Sequence, residues 1–150
     1  MHQVFVSIGS NIEPSHNIEE AKIILGGLFD CTFSGLYETS AEGFIGNNFI
    51  NCVVGFETNL QLIELKEKFK QIEKKMGRTD DQKGMSNRVI DLDIILFGDK
   101  VIQEDDFDIP SKDIENYLFV LEPLVEISGD LLHPILKKTY SEILIDLKAS

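Results

Sequence analysis

The chain opens with a dense apolar run, Val4, Phe5, Val6 and Ile8, that stops at Gly9-Ser10-Asn11, so residues 3–9 read as a strand ended by a turn. The rhythm then becomes helical. Ile18, Ala21, Leu25 and Leu28 recur at helical spacing, with Ser15 placed to cap the helix and Gly26-Gly27 near its end. Residues 31–40 read as a second strand, residues 42–48 as a glycine-containing loop, and residues 49–57 as a strand with a continuous apolar run. The clearest helix follows. Asn59 caps it, Leu62, Leu65, Phe69, Ile72 and Met76 form its buried stripe, and Gly77 stands where a C-terminal cap belongs. Residues 78–88 are polar and without period, which is long for a connector in a small domain, and such loops carry function more often than average. Residues 89–97 form a strand, and Gly98-Asp99 signals a hairpin turn into residues 100–102. An acidic stretch leads to Pro110. Residues 113–127 read as short helical pieces broken by Pro123, and residues 139–148 as a last amphipathic helix.

The order β-α-β-β-α-β is the ferredoxin-like, split-βαβ pattern. It predicts an α/β (α+β) fold, a core sheet with helices packed on it, here with a helical C-terminal extension. No repeat, low-complexity tract or Pro/Gly/Ser linker divides the 150 residues, so a single domain over 1–150 is expected. Such a heavily reused fold does not by itself give a function.

Charge narrows the possibilities. The 26 acidic residues outnumber the 14 basic ones and give a formal net charge of −12. That opposes sequence-independent nucleic-acid binding, which rests on neutralising phosphates, and any polyanionic ligand must be met by local cations or a metal. No apolar run approaches the roughly 18 residues of a membrane span. The N-terminus reads as a strand with no basic leader, so no signal peptide and a cytoplasmic, reduced setting are expected, and a monomer with it. Cys31 and Cys52 have no metal-type spacing and cannot make a disulfide framework.

Two features carry chemistry. Asp91 and Asp93 lie two apart in an otherwise apolar strand, so their side chains share a face with Cα atoms about 6.5 Å apart. At an effective dielectric near 20 they repel by about 2.5 kcal/mol, a penalty that a cation between them converts into a site. Paired carboxylates on a rigid strand suit Mg²⁺, which completes its shell with water and phosphate oxygens. An edge strand with one solvated face gives the same pattern. The second feature is the basic residues: twelve are lysines, and the two arginines, Arg78 and Arg88, stand at the two ends of the unpatterned loop. Guanidinium grips phosphate bidentately. A carboxylate pair with two arginines beside a loop supplies the parts of a metal-assisted phosphoryl-transfer site. Neither G-x-x-x-x-G-K-[ST] nor G-x-G-x-x-G is present, so a P-loop or a dinucleotide-binding domain is not expected.

These residues resemble the 6-hydroxymethyl-7,8-dihydropterin pyrophosphokinase family over nearly the whole chain. The resemblance rests on Ile8-Gly9-Ser10-Asn11, Tyr37-Glu38-Thr39, Asn48-Phe49-Ile50-Asn51, Ile72-Glu73 through Gly77-Arg78, and above all Arg88-Val89-Ile90-Asp91-Leu92-Asp93-Ile94. Ile109-Pro110, Phe119-Val120-Leu121-Glu122-Pro123-Leu124 and His133-Pro134 complete it. It implies transfer of the β,γ-pyrophosphoryl group of ATP to the hydroxymethyl oxygen of a reduced pterin, with release of AMP for folate synthesis. By the same resemblance Asp91 and Asp93 hold two Mg²⁺ ions, and Arg78 and Arg88 grip phosphate oxygens. Asn51, Phe119 and the segment Thr39, Ser40, Ala41 and Glu42 line the pterin pocket, while Lys70, Glu73, Ile94 and Ser111 belong to the ATP side.

The chain also departs from that pattern. Ser111 stands where the family usually has His, and Tyr117 where it usually has a basic residue, both positions belonging to the ATP side. The loop has Asp80 and Gly84 in place of further arginines, which leaves Lys83 there and Lys70 or Lys74 to compensate. The other reading is therefore a diverged member that binds a pterin with weak or no ATP-dependent catalysis. His133 is expected to pack within a C-terminal turn, and Glu104, Asp105, Asp106 and Asp108 to form a solvated hairpin or loop.

Overall fold

The computed structural model describes residues 1–41, 44–83 and 86–150. Its main sheet is built from β1 (His2–Ser10), β2 (Thr32–Phe33), β3 (Tyr37–Thr39), β4 (Phe49–Thr58) and β5 (Asp91–Phe97). The order across it is β2-β4-β1-β5, with β3 also on β4, and every pairing is antiparallel. With α1 (Pro14–Leu28) after β1 and α2 (Leu62–Lys75) after β4, this is the expected ferredoxin-like arrangement. A two-stranded ribbon, β6 (Ile102–Glu104) and β7 (Phe107–Ile109), follows, then α3 (Asp113–Asn116), α4 (Leu118–Ser128) and α5 (Tyr140–Ala149).

The sheet is covered on both faces, which explains the near-continuous apolar strands. Val4, Val6, Ile8, Cys52, Val54, Phe56, Leu92 and Ile94 pack with Ile18, Ala21 and Leu25 of α1 and Leu65, Phe69 and Ile72 of α2. The opposite face carries Phe5, Val53, Ile95 and Leu96 against α3, α4 and α5. Gly55 has a packing reason: a Cβ there would come within 2.7 Å of the Phe5 ring. A bulge in β5 places Leu96 opposite Phe5 and Ile94 opposite Val6, so Ile95 is the extra residue and both Ile95 and Leu96 reach the second core.

Several local expectations are corrected. Ser15 does not cap α1; Pro14 occupies its first turn and Glu13, in the left-handed region at φ 39°, is the flanking residue. Leu28 is 46% exposed although it lies on the same helical face as Ala21 and Leu25, because it is the last residue of α1, where the helix runs out past the core. The second strand is two short ones. At the break, Ser34 Oγ accepts the Val53 N–H at 2.9 Å, while the Glu126 carboxylate accepts from Gly35 N and the Tyr37 hydroxyl, both at 2.8 Å. Gln61, not Asn59, caps α2, its N–H bonded to Glu64 Oε1 at 2.9 Å in a capping box. Leu62 and Met76 only flank that core, partly buried. Gly77 does end the helix, at φ 104°, with its N–H on Lys74 O and the Arg78 N–H on Glu73 O, both 3.0 Å.

Residues 100–102 do not fold back on β5. Ile102–Glu104 pairs with Phe107–Ile109 instead, and Ser111 N takes the open edge of β5 at Ile95 O, 2.9 Å. Pro123 does not break its helix: α4 runs through it, and burial of Val120, Leu121 and Leu124 against the sheet outweighs the one bond proline removes.

His133 is buried, as its expected packing role requires. Its Nδ1 accepts the N–H groups of Ile135 and Leu136 at 3.1 and 3.2 Å, so the neutral ring holds the turn together. Burial pushes its pKa below the ordinary histidine value, partly opposed by Glu115. The unfolded chain then takes up this proton first, so the stabilisation is complete above about pH 6.5 and is lost as pH falls through the folded pKa. His133→Asn keeps an acceptor near Nδ1 without titrating. The Tm of the parent should therefore fall more steeply than that of H133N between about pH 7 and 5 when both are followed by circular dichroism.

Candidate active site

The second face of the sheet is divided along its length. At one end it is core; at the other, directly opposed residues are Ser7 with Asp93 and Gly9 with Asp91 across β1 and β5, and Gly9 with Asn51 across β1 and β4. Small side chains on β1 leave a cleft floor there. Gly9 is needed for it, since a Cβ would come within 2.9 Å of Asn51 Oδ1. The strand alternation that puts Leu92 and Ile94 into the α1–α2 core puts both aspartates on this open end.

Asp91 is the centre of a charge cluster. Arg78 Nη1 lies 3.0 Å from its Oδ1 and Arg88 Nη1 2.6 Å from its Oδ2. Arg78 Nη1 also meets Glu73 Oε2 at 2.7 Å, and that same oxygen accepts the Leu92 N–H at 2.8 Å, tying α2 to the start of β5. Arg78 Nε donates to Gln82 O at 3.0 Å. Burial raises the Glu73 pKa, with the Leu92 N–H and Arg78 pulling the other way. Arg88 is positioned through its backbone. The buried side chain of Asn11 accepts the Arg88 N–H at 2.7 Å, its own N–H donates to Arg88 O at 3.1 Å, and its Nδ2 donates to Asn47 O and Asn87 Oδ1 at 3.2 and 2.8 Å.

Asp93 opens onto the cleft, yet many protein atoms surround it. Burial first, then the charge of Asp91 and a hydrogen bond shared with it, hold its carboxyl well above the usual range, with Arg88 opposing. Water reaching the exposed part of the side chain moderates that rise. The Asp113 carboxyl is raised as well, by burial and then by Asp91.

Two clefts meet at these carboxylates. The first, about 330 Å³, is lined by Thr39, Ser40, Asn51, Arg88 and Phe119 among the expected residues, together with Phe44, Phe49 and Tyr117. The second, about 640 Å³, is lined by Lys70, Glu73, Arg78, Ile94 and Ser111, with Lys66 and Lys112. Asp91, Asp93 and Asp113 line both. Asn51 Nδ2 donates to Thr39 Oγ1 at 3.1 Å, which joins β4 and β3 at the first cleft. Ala41 is not on its wall, and Glu42 lies outside the described residues. Lys74 is exposed in the last turn of α2 and away from the second cleft. Tyr117 is a correction: it lies in the aromatic cleft and not in the cation-bearing one. The acidic hairpin is exposed as expected, but it also walls the second cleft, where Lys66 Nζ stands 3.7 Å from the Phe107 ring centre and Lys112 Nζ 3.8 Å from Asp108.

Asp113, Asn11, Ser7 and the lysines at 66 and 112 are functional candidates that the sequence pattern does not single out. For Asn11 a signal exists, a polar residue directly after a buried strand. Among the described residues no group of three or more His, Cys, Asp and Glu is placed to hold a metal ion. The Asp91–Asp93 pair nonetheless fits Mg²⁺ by donor chemistry, since that ion takes one or two carboxylates and keeps its other positions for water and phosphate. The layout can hold a flat ring on one side of a carboxylate pair and an anionic ligand with a cation on the other, which is that of a two-substrate transfer enzyme.

The family described as 7,8-dihydro-6-hydroxymethylpterin-pyrophosphokinase matches residues 5–129, and the chain belongs to it. A 2-amino-4-hydroxy-6-hydroxymethyldihydropteridine pyrophosphokinase of Aquifex aeolicus is 34% identical over 145 residues, 95% of this chain and 90% of the relative. One of the same name from Haemophilus influenzae is 32% identical over 139 residues, 89% of this chain and 86% of the relative. A folate synthesis bifunctional protein, mitochondrial, of Pisum sativum is 34% identical over 132 residues, 85% of this chain but 25% of that longer protein. Membership of a pyrophosphokinase family brings ATP with it, and such kinases generally act with Mg²⁺. Among the described residues no helix is long and apolar enough to cross a membrane.

Asn11→Ala removes the buried acceptor of the half-buried Arg88 N–H, so a loss of about 1–2 kcal/mol of stability is expected from urea unfolding.

Proposed function

We propose that this chain transfers the β,γ-pyrophosphoryl group of ATP to the hydroxymethyl oxygen of 6-hydroxymethyl-7,8-dihydropterin, giving AMP and the pterin diphosphate for folate synthesis. The observation that carries this reading is the meeting of an aromatic cleft and a cation-bearing cleft at Asp91 and Asp93, in a chain of the dihydropterin pyrophosphokinase family. The pterin ring would lie on Phe119, with the Asn51 amide, Thr39 and Ser40 along its polar edge, and Ala41 and Glu42 continuing that segment. The nucleotide would occupy the second cleft, with Ile94 beside its base and Lys70, Glu73, Arg78 and Ser111 as polar contacts.

Asp91 and Asp93 would hold Mg²⁺, two ions when ATP is bound. Held there, the metal would offset triphosphate charge and polarise the transferring group. In the reaction the pterin oxygen forms a bond to the β-phosphorus, the bond from that phosphorus to the α,β-bridging oxygen breaks, AMP leaves with the electron pair, and the hydroxyl proton passes to water. Arg78 and Arg88 are poised for this by their present partner. Each guanidinium leans on Asp91, and phosphate oxygens brought to the carboxylates offer both a bidentate alternative. We read the enzyme as a single-domain cytoplasmic monomer; light scattering of the purified chain tests the monomeric state.

A second reading, pterin binding with weak transfer, is favoured by one observation. Among the described residues the second cleft is lined by eight carboxylates and four cations. Metal-free nucleotide is repelled by that wall.

With Mg²⁺, ATP and the reduced pterin together, chromatography should show AMP, and omission of any one should abolish it. Verified substrates with no AMP above background remove the leading reading; pterin binding without turnover then supports the second. Asp93→Asn should lower kcat/KM by about a hundredfold or more, while Tm at neutral pH does not fall. The sign follows from the raised carboxyl: the folded chain binds that proton more tightly, so stability increases as pH drops through the folded pKa, and a neutral amide supplies the uncharged form at pH 7.

A further inference from the structure

Tyr117 stands at the junction of α3 and α4 with its backbone held on both sides. Its N–H donates to Asp113 O at 3.0 Å, and its carbonyl accepts the N–H groups of Val120 and Leu121 at 3.1 and 3.0 Å. The residue is extended, at φ −130° and ψ 122°, and 39% exposed. Packing of the core therefore does not account for its ring. That ring lies against Phe119, centroids 5.0 Å apart and planes 31° from parallel, and both side chains line the first cleft.

We propose that Tyr117 is a specificity-determining residue of the first cleft, its ring packed offset against Phe119 so that a planar, electron-poor heterocycle entering the cleft meets both aromatic side chains. The proposal rests on the pterin reading given above. Its basis is geometric. A tyrosine on a doubly hydrogen-bonded junction loses little freedom on binding, because only two side-chain torsions remain to be fixed. Phenol rings are electron-rich and pteridines electron-poor, which favours offset stacking. A lysine at this position would offer a point charge and no flat surface, whereas a tyrosine offers a π face.

The test uses 6-hydroxymethylpterin as a fluorescent probe, titrated into the full chain at saturating Mg²⁺ and a non-hydrolysable ATP analogue, with the analogue also titrated alone. Tyr117→Ala should weaken the pterin about five- to tenfold, and Tyr117→Phe should change it by less than about twofold, since the ring and not the hydroxyl acts. Analogue affinity should be the same in all variants. Tyr117→Leu keeps the apolar bulk without a π face and should lose as much as the alanine variant, which guards against a folding defect in Y117A. Pterin affinity unchanged in Y117A and Y117L, or a loss confined to the ATP analogue, overturns the proposal and leaves the pyrophosphokinase reading standing. A parent chain that binds no pterin overturns both.

Discussion

Asp91 sits between two guanidinium groups, Arg78 at 3.0 Å and Arg88 at 2.6 Å, and much of the site depends on that arrangement. All three side chains are less than one-fifth exposed, so removal of any partner leaves charge in a poorly solvated place. Such a cluster persists only where further hydrogen bonds complete it. Glu73 supplies one set, joining Arg78 to the Leu92 amide, and Asn11 supplies the other through the backbone of Arg88. The end of α2, the start of β5 and the end of β1 are thereby brought to a single carboxylate.

The parts legible in the sequence are those set by period. Alternation in β5 places Asp91 and Asp93 together because Leu92 and Ile94 must face α1 and α2, and the stripe Leu65, Phe69 and Ile72 identifies α2. The parts that are not legible depend on contacts distant in the chain. Ser34 and Glu126 split the expected second strand; Ser111 takes an edge of β5 that a hairpin would otherwise use. Asp113 and Tyr117 come from short helical pieces without clear period, so nothing local tells which cleft they enter. For Tyr117, likeness to relatives pointed to the nucleotide side, and the α3–α4 junction turns it to the other.

Electrostatics of the second cleft follow from the same economy of arginine. Lysines at 66, 70 and 112 face it, and two of them are partly occupied within the acidic hairpin, over Phe107 and beside Asp108. A lysine is a point charge and does not organise phosphate as a guanidinium fork does. Bidentate positioning of an anionic ligand there falls to Arg78, the one guanidinium among the described residues on that wall. In the aromatic cleft the charged groups, Arg88 with Asp91, Asp93 and Asp113, share the wall with the Phe44, Phe49, Tyr117 and Phe119 rings and with short polar side chains.

The Arg78 N–H is fixed to the end of α2 through the turn at Gly77, and the Arg88 backbone is fixed to the end of β1 through Asn11. The stretch between them, residues 79–87, is thus tethered at both ends to rigid elements, and the charges it delimits belong mechanically to those elements. Loop closure between fixed posts grows only slowly with length, by about 0.6 kcal/mol for each doubling. Gln82 and Asn87 add anchors inside this segment, Arg78 Nε donating to Gln82 O at 3.0 Å and Asn11 Nδ2 to Asn87 Oδ1 at 2.8 Å, so a change at either position acts on the placement of an arginine and not on the loop alone.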